Sequence, residues 1–354
     1  MTSMQGQALF ITSMGMACPV GLCVASACAA KRAGLSALQE LPFFDNACEP
    51  IIGATVPSLD LALPAAARMS GLMMHALVEL IQGAPKLDWT EVPFLLCLAE
   101  PERPGINIRE IAQAVIQDIS SKLGIQFHPT HSRVIPSGHV AGMHALHEAS
   151  RLMQETRVPA CVVAGVDSLL SALTLQWLDE HRRLKTATHN DGLFPGEGAA
   201  AILIQAYRQP GTCLQISGLG FGQEEAPLLS SKPLRAGGLT DAARTALAQA
   251  KLGLHEIDLR LSDVTGEQYG FKELPLMEAR LFRTVRKEDQ PLWHWAEAMG
   301  DTGAIAGIVQ LILADQAFRK GYAPGTTAIC LSSALAGARA AAVVRDLSQP
   351  EGDL

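Results

Sequence analysis

A chain of 354 residues carries 28 Lys and Arg against 35 Asp and Glu, a formal charge of −7. That balance excludes a general nucleic-acid binder, which shows a basic surplus or a basic stripe. With 48% hydrophobic and 18% charged residues the chain is not disordered, and its length suits two domains of roughly 150 residues or one double unit.

The first 30 residues hold no charged side chain, as a secretion signal or a membrane anchor would. A signal needs a basic start, and the first basic residue is Lys31. Gly15, Pro19 and Gly21 also interrupt the ~20 apolar residues that a span requires. The expectation is a soluble, cytoplasmic chain without a membrane span. Residues 8–14 read as a buried strand, followed by a turn and a helix over 22–33 that Gly34 closes. Residues 36–66 read as irregular. A helix over 66–82, a strand over 93–99 and a helix over 110–123 ending at Gly124 come next.

The middle is the most legible stretch. Val134-Ile-Pro-Ser-Gly-His-Val-Ala-Gly142 leads into a helix through Glu155, and 160–168 is an apolar strand with a polar end. Two more strands, 199–205 and 212–217, flank a turn at Arg208-Gln-Pro-Gly211. The second half then repeats the plan. Leu214-Gln-Ile-Ser-Gly-Leu-Gly220 echoes Phe10-Ile-Thr-Ser-Met-Gly-Met16. The turn at Gly300-Asp-Thr-Gly303, the helix after it and the strand at 327–332 copy Gly138-His139, its helix and the strand at 160–168. A repeated strand–helix order is the mark of a duplicated α/β unit. Residues 1–210 form the expected first half and 211–354 the second. Continuous apolar strands point to buried parallel pairing.

Four stretches carry a family resemblance. Met14-Gly-Met-Ala-Cys-Pro-Val-Gly21 resembles the opening of β-ketoacyl-acyl-carrier-protein synthases, the condensing enzymes of the thiolase fold. Ala164-Gly-Val-Asp-Ser-Leu-Leu170 resembles their alanine–glycine–acidic strand end. Asp191-Gly-Leu-Phe-Pro-Gly-Glu-Gly-Ala-Ala200 is similar to their most specific segment, and Ser332–Gly337 falls where the family has a glycine-rich loop. The resemblance implies a thiolase-like five-layered αβαβα fold with two duplicated halves, usually dimeric, with the dimer strand at 160–166.

A condensing enzyme needs a thiolate at a helix N-terminus to carry the acyl chain, and two His to stabilise the oxyanions formed on decarboxylation. The family's Cys motif falls on Gly138-His139-Val-Ala-Gly142, its first His on Thr265 before Gly266, and its second on Asp301 within Gly300-Asp-Thr-Gly-Ala304. His139, Thr265 and Asp301 thus occupy the Cys, His and His positions. The glycine scaffold is kept and the reactive groups are gone. Two readings follow: a degenerate site, or a rebuilt base or nucleophile at His139 beside Asp301, with Ser137 close by. The helix N-terminus favours a neutral His139, and a nearby Asp301 favours imidazolium.

The degenerate reading implies a protein that works by binding. The partners are a second copy, an active ketosynthase-like subunit as with chain length factors, an acyl carrier protein, or a secretion effector or adaptor. The last comes from Gly34-Leu-Ser-Ala-Leu-Gln-Glu-Leu-Pro-Phe43 with Asp45 and Glu49-Pro50, which is similar to short thiolase-like proteins associated with type VI secretion effectors and their adaptors. The alternatives are an acyltransferase or hydrolase rebuilt around His139 and Asp301, and an acyl or acyl-carrier binding module. Arg182, Arg183 and Lys185 form the basic cluster that an acidic carrier would need.

No cofactor or metal is expected. Eight Cys in mostly apolar runs, with no Cys-x-x-Cys pair, read as buried reduced thiols, Cys330 among them. His144 and His147, one helical turn apart after His139, share a spacing with zinc ligands but equally with ordinary core or surface His. Gly218-x-Gly-x-Gly222 follows a strand without the third glycine spacing of a dinucleotide site. Trp293-His-Trp295 reads as packing.

Overall fold

The computed structural model describes residues 8–284 and 288–348. Strand β1 (Leu9–Ala17) alternates buried and half-buried positions before the turn that leads to helix α1 (Val24–Arg32). Gly34, at φ +70°, follows this helix in the left-handed conformation that suits a helix end. A short hairpin, β2 (Gln39–Phe44) and β3 (Pro50–Gly53), precedes helix α2 (Ala65–Gly83). From α2, Glu79 reaches across and accepts the backbone N–H groups of Met16 and Val24 at 2.9 Å. It thereby satisfies a free donor at the start of α1 that its own sequence leaves uncapped. Strand β4 (Phe94–Leu98) and helix α3 (Ile108–Asp118) follow, with the Asn107 side chain accepting the Glu110 N–H at the helix start.

Strand β5 (Arg133–Pro136) runs into helix α4 (Ala141–Thr156), then strand β6 (Cys161–Ser168), helix α5 (Ala172–Glu180) and strand β7 (Glu197–Gln205). The second half supplies β8 (Leu214–Gln223), α6 (Gly237–Ala250), β9 (Leu259–Ser262), α7 (Gln268–Leu281), β10 (Leu292–Trp293), α8 (Ala296–Met299), α9 (Ala306–Arg319), β11 (Thr327–Ser333) and β12 (Ala338–Asp346).

Ten strands form one ladder in the order β10-β9-β11-β12-β8-β1-β7-β6-β4-β5. Around the β8–β1 seam the order is a mirror image of itself. On each side two antiparallel pairs lie inside and two parallel pairs outside. This is the duplication expected from the repeated strand–helix order. One face of both halves packs on the central helices α1, α4 and α9, where Cys161, Val163, Ile202, Cys330 and Ala342 share a single core. The opposite faces are covered separately, by α2 and α3 on the first half and by α6 and α7 on the second. Helix pair, half-sheet, central helices, half-sheet and helix pair make the five layers of a thiolase-like αβαβα fold.

The structure departs from the expectation in three places. Residues 36–66 contain the β2–β3 hairpin, whose strands are half-exposed and broken by Pro42 and Pro50, so no apolar run announces them. The buried apolar strands are not all parallel: β7 pairs antiparallel with both β1 and β6, and β12 with both β8 and β11, because these inner strands are covered on both faces whatever their direction. The third correction concerns the edge. The run at 160–166 is not an exposed edge: β6 is buried along its whole length between β7 and β4, and the free edge of that half is β5. No helix among the described residues is long and apolar enough to cross a membrane.

Candidate functional site

Two equivalent turns build the centre of the molecule. Gly138 (φ +54°) opens a short 3-10 turn, Gly138–Val140, at the head of α4, and Gly303 (φ +52°) opens another, Gly303–Ile305, at the head of α9. A side chain at either position would enter a carboxylate, Glu100 at Gly138 and Asp167 at Gly303. The left-handed backbone and the close acid both demand glycine there. Farther along, Gly142 of α4 meets Ile308 of α9, and Gly307 of α9 meets Met143 of α4, so the two central helices cross at glycines.

These turns bring His139 and Asp301 together. His139 Nε2 lies 2.8 Å from Asp301 Oδ1, which also accepts the Gly303 N–H at 2.9 Å. The Asp301 side chain is 4% exposed and that of His139 15%. Burial works against protonation of His139, but the fields of Asp301, Asp263 and Glu100 and the bond to Asp301 outweigh it, pushing its pKa up to about 10. Asp301 is the complement. Burial opposes its charge, and the His139 charge, their shared bond, the Gly303 N–H and Arg183 hold its carboxyl far below the usual range. The contest between helix terminus and carboxylate is therefore decided for imidazolium. His139 Nδ1 is buried with no hydrogen-bond partner among the described residues.

The pair sits in the wall of a cavity of about 480 Å³. Its apolar lining comes from Leu169, Trp177, Leu178, Leu228, Leu274 and Leu335. Its polar lining is a set of ion pairs. Arg103 holds Asp167 through two bonds of 2.8 Å and Glu100 at 3.0 Å, Arg183 holds Glu267 through two of 2.8 Å, and Arg339 holds Glu273 at 2.8 Å. Asp167 also accepts the Ala304 N–H at 2.7 Å, fixing the turn before α9. Asp263 follows β9 and accepts the Ser333 N–H at 2.7 Å. Burial pushes its carboxyl up to about 6, against the lowering effect of His139 and the Ser333 N–H.

Of the expected site residues, His139, Asp301 and Thr265 all line this cavity. The Thr265 hydroxyl donates to Glu267 at 3.3 Å rather than to the pair. Ser137 precedes the turn and is not among the lining residues. The basic cluster is divided, because Arg183 is turned into the wall onto Glu267, while Lys185 lies over the Phe194 ring at 5.5 Å. Glu197, in the most family-specific segment, is a buried anchor that accepts from Arg68, Thr55, Ser168 and the Val56 N–H. Gly218, Gly220 and Gly222 allow α6 to lie directly on β8, which explains that pattern without a nucleotide. His144 and His147 pack on Phe221, and Trp295 donates to the Val309 carbonyl. Cys330 is fully buried in β11, and burial pushes its thiol up. The sequence reading missed Glu100, Arg103 and Asp263. The available signal was position, since Glu100 and Asp263 each follow closely on a buried parallel strand, where α/β sheets place their ligand groups.

No protein-family model matches the chain. A curated relative, the mitochondrial 3-oxoacyl-[acyl-carrier-protein] synthase of Arabidopsis thaliana, is 26% identical over 230 residues, covering 59% of this chain and 48% of that protein. The match thus spans about half the length of the curated relative. Among solved structures, the chain superposes on the oxazolomycin ketosynthase domain of Streptomyces albus JA3453 with a TM-score of 0.78 and 15% identity, covering 97% of this chain and 76% of that one. A type II polyketide ketosynthase complex with its acyl-carrier protein gives 0.79 and 14%, over 97% and 100%. A ketosynthase in complex with its chain length factor from Xenorhabdus doucetiae gives 0.76 and 15%, over 98% and 100%. The fold is the one these proteins share.

Proposed function

We propose, for this β-ketoacyl-synthase-like chain of the thiolase fold, a role by binding: a catalytically degenerate subunit acting as an accessory or adaptor, or as the non-catalytic partner of an active synthase. One observation carries the reading. The His139 ring lies 2.8 Å from Asp301, and by the resemblance in sequence these two residues take the positions of the acyl-accepting Cys and of a His. An imidazolium paired in this way offers neither a nucleophilic lone pair nor a base. Among the described residues no Cys lines the cavity. The thiols of Cys97, Cys161 and Cys330 lie within buried strands, where burial pushes them up and away from the reactive thiolate.

Similarity to a ketosynthase–chain length factor complex supports a pairing role, as does the free edge strand β5. An acyl carrier protein is a further candidate partner, supported by the likeness to a carrier–ketosynthase complex. A secretion adaptor role rests on the 34–50 stretch, and the neighbouring genes would test it. The direct test is incubation with acyl-carrier and acyl-CoA thioesters followed by intact-mass measurement, which should show unmodified protein.

A rebuilt acyltransferase or hydrolase site is the second reading, favoured by the cavity itself, because the His–Asp pair lines a space large enough for a substrate. Loss of a hydrolytic activity in a well-folded His139→Ala protein would establish it.

A further inference from the structure

The cavity around His139 has a charge pattern that selects its ligand. Six carboxylates line it, those of Glu100, Glu102, Asp263, Glu267, Glu273 and Asp301, against the guanidiniums of Arg103, Arg183 and Arg339 and the His139 ring. Each cation is already engaged. Arg183 is held by Glu267, Arg339 by Glu273, His139 by Asp301, and Arg103 by both Asp167 and Glu100. Among the described residues Asp263 and Glu102 form no direct ion pair: the charges of His139 and Arg339 act on Asp263 but are bonded to Asp301 and Glu273, and Glu100 has only a share of Arg103, so six lining carboxylates stand against four cations. Asp263 receives a single backbone N–H, from Ser333.

The same cavity is also lined by the apolar side chains of Leu169, Trp177, Leu178, Leu228, Leu274 and Leu335. The volume of about 480 Å³ lies inside the range of roughly 300–1,000 Å³ for small-molecule sites. An anionic ligand would meet surplus negative charge in a confined, partly desolvated space, where repulsion is strongest. A cation on an apolar chain would pair with the unmatched carboxylates and bury its chain against the leucines.

Resting on the binding role given above, we propose that this cavity takes an ammonium-bearing ligand with an apolar chain, with Asp263 as its principal counter-ion and Glu102 as a second one. The charged head lies beside Asp263 and the chain runs along Leu178, Leu228 and Leu274. No bond is made or broken in the complex.

The test is calorimetric titration of the intact protein with three probes of equal chain length: n-octylammonium, n-octanol and octanoate. Octylammonium should bind more tightly than octanol, and octanoate should not bind. Asp263→Asn, which keeps an oxygen for the Ser333 N–H, should weaken octylammonium by about tenfold and leave octanol unchanged. Glu102→Gln, at the exposed rim, should weaken it by a smaller factor without any burden on folding. Equal or tighter binding of octanoate, no binding of octylammonium, or an unchanged affinity in both variants would overturn the proposal. An acyl-enzyme adduct would instead overturn the non-catalytic reading and leave the charge preference standing, so the two failures are distinguishable.

Discussion

His139 Nε2 and Asp301 Oδ1, 162 positions apart in sequence, lie 2.8 Å from each other and join the turn that opens α4 to the turn that leads into α9. The contact crosses the seam between the duplicated halves. Its first consequence is for stability. His139→Ala strands the Asp301 carboxylate in a buried place, and Asp301→Ala strands the ring, each at about 1–3 kcal/mol. The His139→Ala change should be the costlier, because a free imidazole can shed its proton while the buried carboxylate keeps its charge. The double variant should cost less than the sum of the two, since neither group is then left alone. Urea unfolding of the four proteins measures this cycle, and strict additivity would show that the pair does not act as a unit.

The pH dependence has a defined sign. The His139 value is raised from 6.5 to about 10. Its contribution is complete below pH 6.5 and is lost as the pH rises through about 10. Asp301 is depressed from 3.8, so its contribution holds above that value and is lost only as the pH falls through its lower folded one. Asp263, raised from 3.8 to about 6, favours the folded state when protonated, and this effect fades as the pH rises from 3.8 through 6. Stability should therefore decline across the range from pH 6.5 to 10, and the decline should be smaller in His139→Gln. A histidine-specific NMR titration should find the His139 ring still protonated at pH 8. A ring that titrates near 6.5 would contradict the ion pair.

The glycine pattern was readable in the sequence, and much of the fold with it. Gly138 and Gly303 marked the two helix heads because only glycine suits their left-handed backbone beside a carboxylate. The apolar runs marked the inner strands. The short strands β5 and β10 and the helices α6 and α7 have no counterpart in the sequence reading, and neither have the β2–β3 hairpin, β9 and β12. The hairpin is half-exposed, β9 is four residues long, and the apolar part of β12 is mostly alanine, so these three give no strong periodic signal. In the site, flanking glycines mark positions 139 and 301, position 265 has only Gly266 beside it, and all three line the cavity. The partners of Arg103 and Arg183 could not, since Asp167 and Glu267 lie 64 and 84 residues away and nothing local pairs them.

The edge strand sets the expected assembly. β5 presents Arg133 and Val134 at the free end of its half-sheet, with its backbone paired to β4 on one side only. Unpaired strand edges recruit another strand. Light scattering should give a dimer, either of this chain alone or with a ketosynthase-like partner, and Val134→Pro, which removes a ladder donor, should shift it toward monomer. A monomer in both settings, or a dimer indifferent to Val134→Pro, would exclude pairing through β5.

The contact between β8 and α6 gives a contrast between two glycines. A side chain at Gly220 would collide with the Ala242 carbonyl, whereas Gly237 at the start of α6 has open space around it. Gly220→Ala should cost about 1–3 kcal/mol by overpacking. Gly237→Ala should be neutral or stabilise by about 0.4–1 kcal/mol, because the unfolded chain loses freedom. Thermal unfolding of the two variants checks both signs.

The central claim is that the acyl-accepting position has lost its chemistry, and intact-mass spectrometry tests it most directly. After prolonged incubation with acyl-carrier and acyl-CoA thioesters, the mass of the protein should be unchanged. A stable acyl adduct that maps to His139, Ser137 or Cys330 would contradict it.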